Sequence, residues 1–231
     1  MSVTTLEPAR RAVLQRRIRW IVAGTIGYNV IEAIIAIAAG SVASSTALIA
    51  FGLDSVVEVL SAAAVAWQFT RKNPESYEAP TLRVIAVAFF ALAGYVTVSS
   101  VLSLTGAVTP EHSGAGIILA AVSLAVMPAL SWFERRTGTE LGSASAVADS
   151  KQTLICSYLS AAVLLGLLLN STLGWSWADA VAGLVIAGFA VREGLEAWSG
   201  DTCATPIGML LDADADAEEN AAPRARDARE R

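Results

Sequence analysis

Hydrophobic residues gather along this chain in long runs, separated by short segments that hold nearly all of the charge. Six runs, at about 20–40, 43–69, 81–105, 113–132, 146–169 and 175–196, have the length a bilayer demands. A hydrocarbon core about 30 Å thick is crossed by roughly 20 apolar residues rising about 1.5 Å each. Each run is expected to be one transmembrane helix. The expected fold class is all-α, an integral membrane bundle of six helices. Connectors are short, apart from the segment around 70–80. The first run is too long for a secretory leader, and no small-residue cleavage pattern followed by a soluble domain accompanies it.

Composition supports the pattern. Of the 231 residues, 55% are hydrophobic and only 16% charged, with a mean hydropathy of +0.56. A soluble domain carries nearer about a quarter charged residues. The basic residues test the helix count independently. Arg10, Arg11, Arg16, Arg17 and Arg19 precede the first run, and Arg71, Lys72 and Arg83 lie around the second connector. Arg135, Arg136 and Lys151 surround the fourth connector, Arg192 ends the sixth run, and Arg224, Arg226, Arg229 and Arg231 lie in the tail. None falls in the other three loops. The excess of positive charge on cytoplasmic loops then places both termini in the cytoplasm of a multi-pass cell-membrane protein. An odd number of helices would put the basic tail outside. Trp175 and Trp177 mark the outer interface, and Trp20, Trp67, Trp132 and Trp198 the inner one.

Three segments follow: a basic cytoplasmic stretch over 1–19, the membrane domain over 20–199, and an acidic tail over 200–231. The tail holds much of the acid behind the net charge of −5 and is expected to be disordered. Nothing in this charge balance points to nucleic acid. Cys156 in a helix and Cys203 in the tail provide no disulfide framework.

Chemistry enters with the polar residues inside the runs. A carboxylate at a helix centre costs roughly 2.5–3.5 kcal/mol on insertion scales, so each marks a functional candidate. Glu32 in the first run and Asp54 and Glu58 in the second lie deep, and Asp149 lies shallower in the fifth. Counting from each cytoplasmic end, Glu32 is about 18 Å deep, Asp54 about 22 Å, Glu58 about 16 Å and Cys156 about 15 Å. Asp54 and Glu58, four apart, share a helix face that Ser61 extends. Ser145, Asp149, Gln152, Cys156 and Ser160 form a polar stripe on the fifth run, and Tyr28, Asn29 and Glu32 another on the first.

Two carboxylates, a thiol and an amide, from Asp54, Glu58, Cys156 and Gln152, can together make a four-ligand metal site. Mixed oxygen and sulfur donors suit a borderline ion such as Zn²⁺ better than Mg²⁺ or Ca²⁺. Such donors, buried, hold protons until a metal displaces them, which couples metal movement to a proton gradient. Glu32, Asp149 and Asn29 are accessory or proton-coupling candidates. No cofactor is expected beyond the transported metal, and no enzymatic chemistry. Several of these residues also have plain structural readings. Gln152 can act as interhelical glue, Asp149 as a boundary partner of Lys151, Asp179 as an acid on its own helix dipole, and His112 as a solvated loop residue.

The stretch Asn29-Val-Ile-Glu32, then Gly40-Ser-Val-Ala and Leu48-Ile-Ala-Phe-Gly-Leu-Asp54-Ser-Val-Val-Glu58, resembles the first two helices of the cation diffusion facilitator family. In that family a Gly-Ser turn precedes an Asp/His-x-x-x-Asp metal motif, matched here by Asp54 and Glu58. Ala148-Asp149-Ser-Lys-Gln152-Thr-Leu-Ile-Cys156 is similar to its fifth-helix motif, with Gln152 where the family has His and Cys156 where it has Asp. Trp177-Ala-Asp179 resembles the start of its sixth helix. The resemblance covers the transmembrane domain only, as in a His-free, truncated branch without the soluble domain that supports dimer contact. It implies a divalent metal transporter, Zn²⁺ first, exporting the ion in exchange for protons, and a homodimer. The rival expectation is a non-transporting sensor or regulatory partner on a degenerate transporter scaffold.

Overall fold

The computed structural model describes residues 8–69, 75–141 and 144–199. The expected disordered tail lies outside the described residues. Six helices follow one another: α1 (Pro8–Ala43), α2 (Thr46–Phe69), α3 (Glu75–Leu104), α4 (Gly114–Leu141), α5 (Ala144–Leu173) and α6 (Ser176–Ser199). There is no strand among the described residues. Helices satisfy every backbone group internally, which lipid requires of a spanning segment.

Five of the helices are long and apolar enough to cross a membrane. The sixth, α6, falls short in composition because Asp179, Arg192, Glu193 and Glu196 dilute its apolar residues. Its 24 residues still reach about 36 Å, and Asp179 and Glu193 are both buried inside the bundle. Helix α1 begins at Pro8, twelve residues before the apolar run. Proline is tolerated in the first turn, and the Ala, Arg, Leu and Gln that follow are good helix formers.

One end of the bundle is tied by hydrogen bonds. The chain turns between α1 and α2 at Ser44, with φ of 51°. Ser45 Oγ accepts the Leu48 N–H at 3.1 Å, capping α2. Asp179 of α6 accepts from Ser45 Oγ and from the Ala47 N–H at 3.3 Å. It therefore serves the N-terminus of α2, in addition to sitting in the first turn of its own helix. The loop before α4 joins this end: the Glu111 N–H donates to Ala43 O at 2.7 Å, and Asn170 Nδ2 to Pro110 O at 3.2 Å. His112 in that loop is exposed. At the opposite end Arg10 of α1 pairs with Glu140 of α4, and the Arg136 guanidinium lies 5.3 Å from the Trp132 ring.

Small residues let the helices approach closely. A Cβ on Gly40 would lie 2.8 Å from the backbone nitrogen of Ile49, so α1 and α2 touch backbone to side-chain stem. Phe51, Leu48, Val96, Leu167 and Ile186 fill the centre. Ile34, Val42 and Ile118 stay outward, a surface suited to lipid.

Candidate cation site

The midplane polar groups sort into networks, each spanning several helices. In the first, α2 supplies Glu58. Cys156 of α5 places its Sγ 2.8 Å from Glu58 Oε1, and Asn29 of α1 donates from Nδ2 to Glu58 Oε2 at 2.7 Å. Cys156 and Asn29 are buried, at 6% and 6% exposure. Asn29 Oδ1 has no hydrogen-bond partner, although it is sealed from solvent. Three helices thus converge on one carboxylate, and they bring a thiol and a free amide oxygen with them.

Glu32 belongs to a second network. Ser55 of α2 donates to its Oε2 at 2.9 Å, Ser123 of α4 donates to its Oε1, and Tyr28 OH lies 2.7 Å from Ser123 Oγ. Asp54 is buried on the same α2 stripe, and its carboxyl lies within electrostatic reach of Glu58, Glu193 and Glu32. Among the described residues, no three of His, Cys, Asp and Glu stand close enough together to hold one ion. Gln152 and Asp149 lie on α5, but their side chains are outside the described residues.

Two further buried acids escaped the sequence reading. Glu134 of α4 is 0% exposed, and it accepts from Thr153 Oγ1 of α5 at 3.0 Å and from Thr25 Oγ1 of α1 at 3.5 Å. Its neighbours Arg135 and Arg136 make it look like part of a charged membrane boundary. The signal for its burial was the spacing of Ser123, Met127, Ser131 and Glu134, one helical stripe that is buried throughout. Glu193 of α6 ends a similar stripe of Gly183, Ile186, Ala190 and Glu193.

A six-helix bundle with carboxylates, a thiol and an amide turned inward defines a multi-pass membrane protein of the cation-handling class. Residues 25–199 match the family model of the cation efflux transmembrane domain. The chain belongs to the cation efflux family, whose members are transporters rather than enzymes, acting on cations across a lipid bilayer. No curated protein matches the chain.

Proposed function

We propose that this chain carries a divalent metal ion, Zn²⁺ first, across the cell membrane in exchange for protons. The observation that carries the reading is the contact between Cys156 Sγ and Glu58 Oε1 at 2.8 Å, deep in the bundle. A thiol donating to a carboxylate holds one proton between two potential ligands. A divalent cation arriving there takes both as anionic donors and expels that proton. Sulfur beside oxygen favours a borderline ion over Mg²⁺ or Ca²⁺. Asn29 Oδ1, buried and unpartnered, is a ready third donor, and Gln152, four residues before Cys156 in the sequence, is the proposed fourth.

Asp54 joins an ion on the Glu58–Cys156 pair only if a side chain or helix shifts, since the three do not already form a cluster. That requirement suits alternating access, in which rocking between inward-open and outward-open arrangements completes and dissolves the site. Both termini lie in the cytoplasm in this reading, since the basic clusters gather at the end of the bundle that holds Arg10 and Arg136.

That Asp54 stands apart from the Glu58–Cys156 pair also favours a second reading, a sensor or regulatory partner that binds metal without moving it. Metal uptake into proteoliposomes separates the two. With Zn²⁺, Cd²⁺, Co²⁺ and Mn²⁺ offered in turn, transport predicts uptake of one or two of them, lost in Asp54→Ala. Binding with no uptake of any of them, from folded protein, replaces the transport reading with the sensor.

A further inference from the structure

Glu193 is a buried carboxylate with 7% exposure, and its Oε1 has no partner among the described residues. Buried polar atoms in proteins are nearly always paired, so a sealed carboxyl oxygen without a donor asks for an occupant. Arg192, the adjacent cation, is turned to Glu196 at 2.8 Å and is largely exposed. It makes no hydrogen bond to Glu193 Oε1.

The groups nearest to Glu193 along the bundle can be placed by register. Helices α2 and α6 run in the same direction, and Asp179 pins the start of α6 to Ser45 and Ala47 at the start of α2. Ser61 stands as far along α2 from Ala47 as Glu193 stands along α6 from Asp179, about 21 Å in each case. That interval is close to four whole turns, so Glu193 returns to the face on which Asp179 meets α2. Ser61 lies on the Asp54–Glu58 stripe, is 8% exposed, and its Oγ is also buried without a partner. The Asp54 carboxyl, buried higher on that stripe, lies within electrostatic reach of Glu193.

We propose that the seam between α2 and α6 holds a second divalent-cation site, made by Glu193 and Ser61 with Asp54 at its upper edge. Glu193 supplies the anionic donor and the Ser61 hydroxyl a neutral oxygen, while Asp54, seven residues or about 10 Å up α2 from Ser61, adds its charge from the edge. Its donors are oxygen only, so it takes hard ions such as Mn²⁺ or Mg²⁺ as readily as Zn²⁺, unlike the thiol-bearing Glu58–Cys156 pair. It lies nearer the end of the bundle that carries Arg10 and Arg136. Its role as a waystation, passing the ion to Glu58 and Cys156 through Asp54, rests on the transport reading; its existence as a binding site does not.

The test is Mn²⁺ binding to the purified full chain, read by electron paramagnetic resonance, in a Glu58→Gln, Cys156→Ala background that disables the first site. The background variant is expected to keep one bound Mn²⁺ per chain, and adding Glu193→Gln is expected to weaken its Kd tenfold or more. Ser61→Ala, a smaller change, is the companion variant should the triple variant fail to fold; it is expected to weaken Mn²⁺ binding several-fold. A folded background variant that binds no Mn²⁺, or binding left unchanged by Glu193→Gln or by Ser61→Ala, overturns the site and makes Glu193 a neutral structural carboxyl. Absence of metal uptake by wild-type proteoliposomes sinks transport alone and leaves the Mn²⁺ titration to decide the site.

Discussion

Replacing Asp179 with alanine probes the joint that sets α6 against α2. In the folded protein Asp179 is 0% exposed and accepts from Ser45 Oγ and from the Ala47 N–H at 3.3 Å. In Asp179→Ala the Ser45 hydroxyl keeps a function, since its oxygen still accepts the Leu48 N–H at 3.1 Å. The Ala47 N–H does not: Ala47 is fully buried and loses its acceptor. Leaving one such donor unsatisfied costs about 1–3 kcal/mol, and weakening a helix cap adds typically about 1 kcal/mol. The expected destabilisation is about 2–4 kcal/mol. Asp179→Asn retains one acceptor oxygen but turns an NH₂ toward the second donor, so about half that loss is expected. Unfolding by titration with sodium dodecyl sulfate, followed by far-ultraviolet circular dichroism, measures the difference. An Asp179→Ala protein within about 0.5 kcal/mol of wild type, the range of an ordinary surface substitution, would refute the reasoning.

Three further outcomes follow from the packing. Glu134→Ala removes the buried carboxylate that accepts from Thr153 Oγ1 at 3.0 Å, while the Thr25 hydroxyl keeps Ile21 O at 3.1 Å, and is expected to destabilise by about 1–3 kcal/mol in the same titration, with Glu134→Gln milder. Gly40→Ala puts a Cβ 2.8 Å from the backbone nitrogen of Ile49, so a loss of about 1–3 kcal/mol is expected; an unchanged midpoint would mean that α1 and α2 can separate freely. Alkylation of Cys156 by a small maleimide is expected to be slow, because the thiol is 6% exposed, and slower still with Zn²⁺ present; Cys203→Ser removes the competing thiol, and acceleration by Zn²⁺ would contradict metal ligation.

The helices were legible because lipid leaves few alternatives: long apolar runs must be helical, and charge must collect at their ends. The start of α1 at Pro8 was not, since hydropathy reports where lipid begins rather than where a helix does. The meeting of Glu58 with Cys156 was foreseeable from depth and helical phase alone. The hydroxyl partners of Glu32 were not, because Ser55 and Ser123 are common residues whose orientation depends on helix crossings. Glu134 and Glu193 each stand beside an arginine, so their local charge points toward the membrane boundary rather than the bundle interior. Their helical stripes of small and polar residues carried the contrary signal. Asp179 illustrates the same limit, since a capping partner on another helix leaves no mark in nearby sequence.

The central claim is that a divalent cation takes the place of a proton between Glu58 and Cys156. Counting protons released into a weakly buffered solution as Zn²⁺ binds the purified protein tests it most directly. The account predicts proton release with each Zn²⁺ bound, reduced by about one proton per ion in Cys156→Ala. Zn²⁺ binding with the same proton release in wild type and Cys156→Ala, or with none in either, would contradict it.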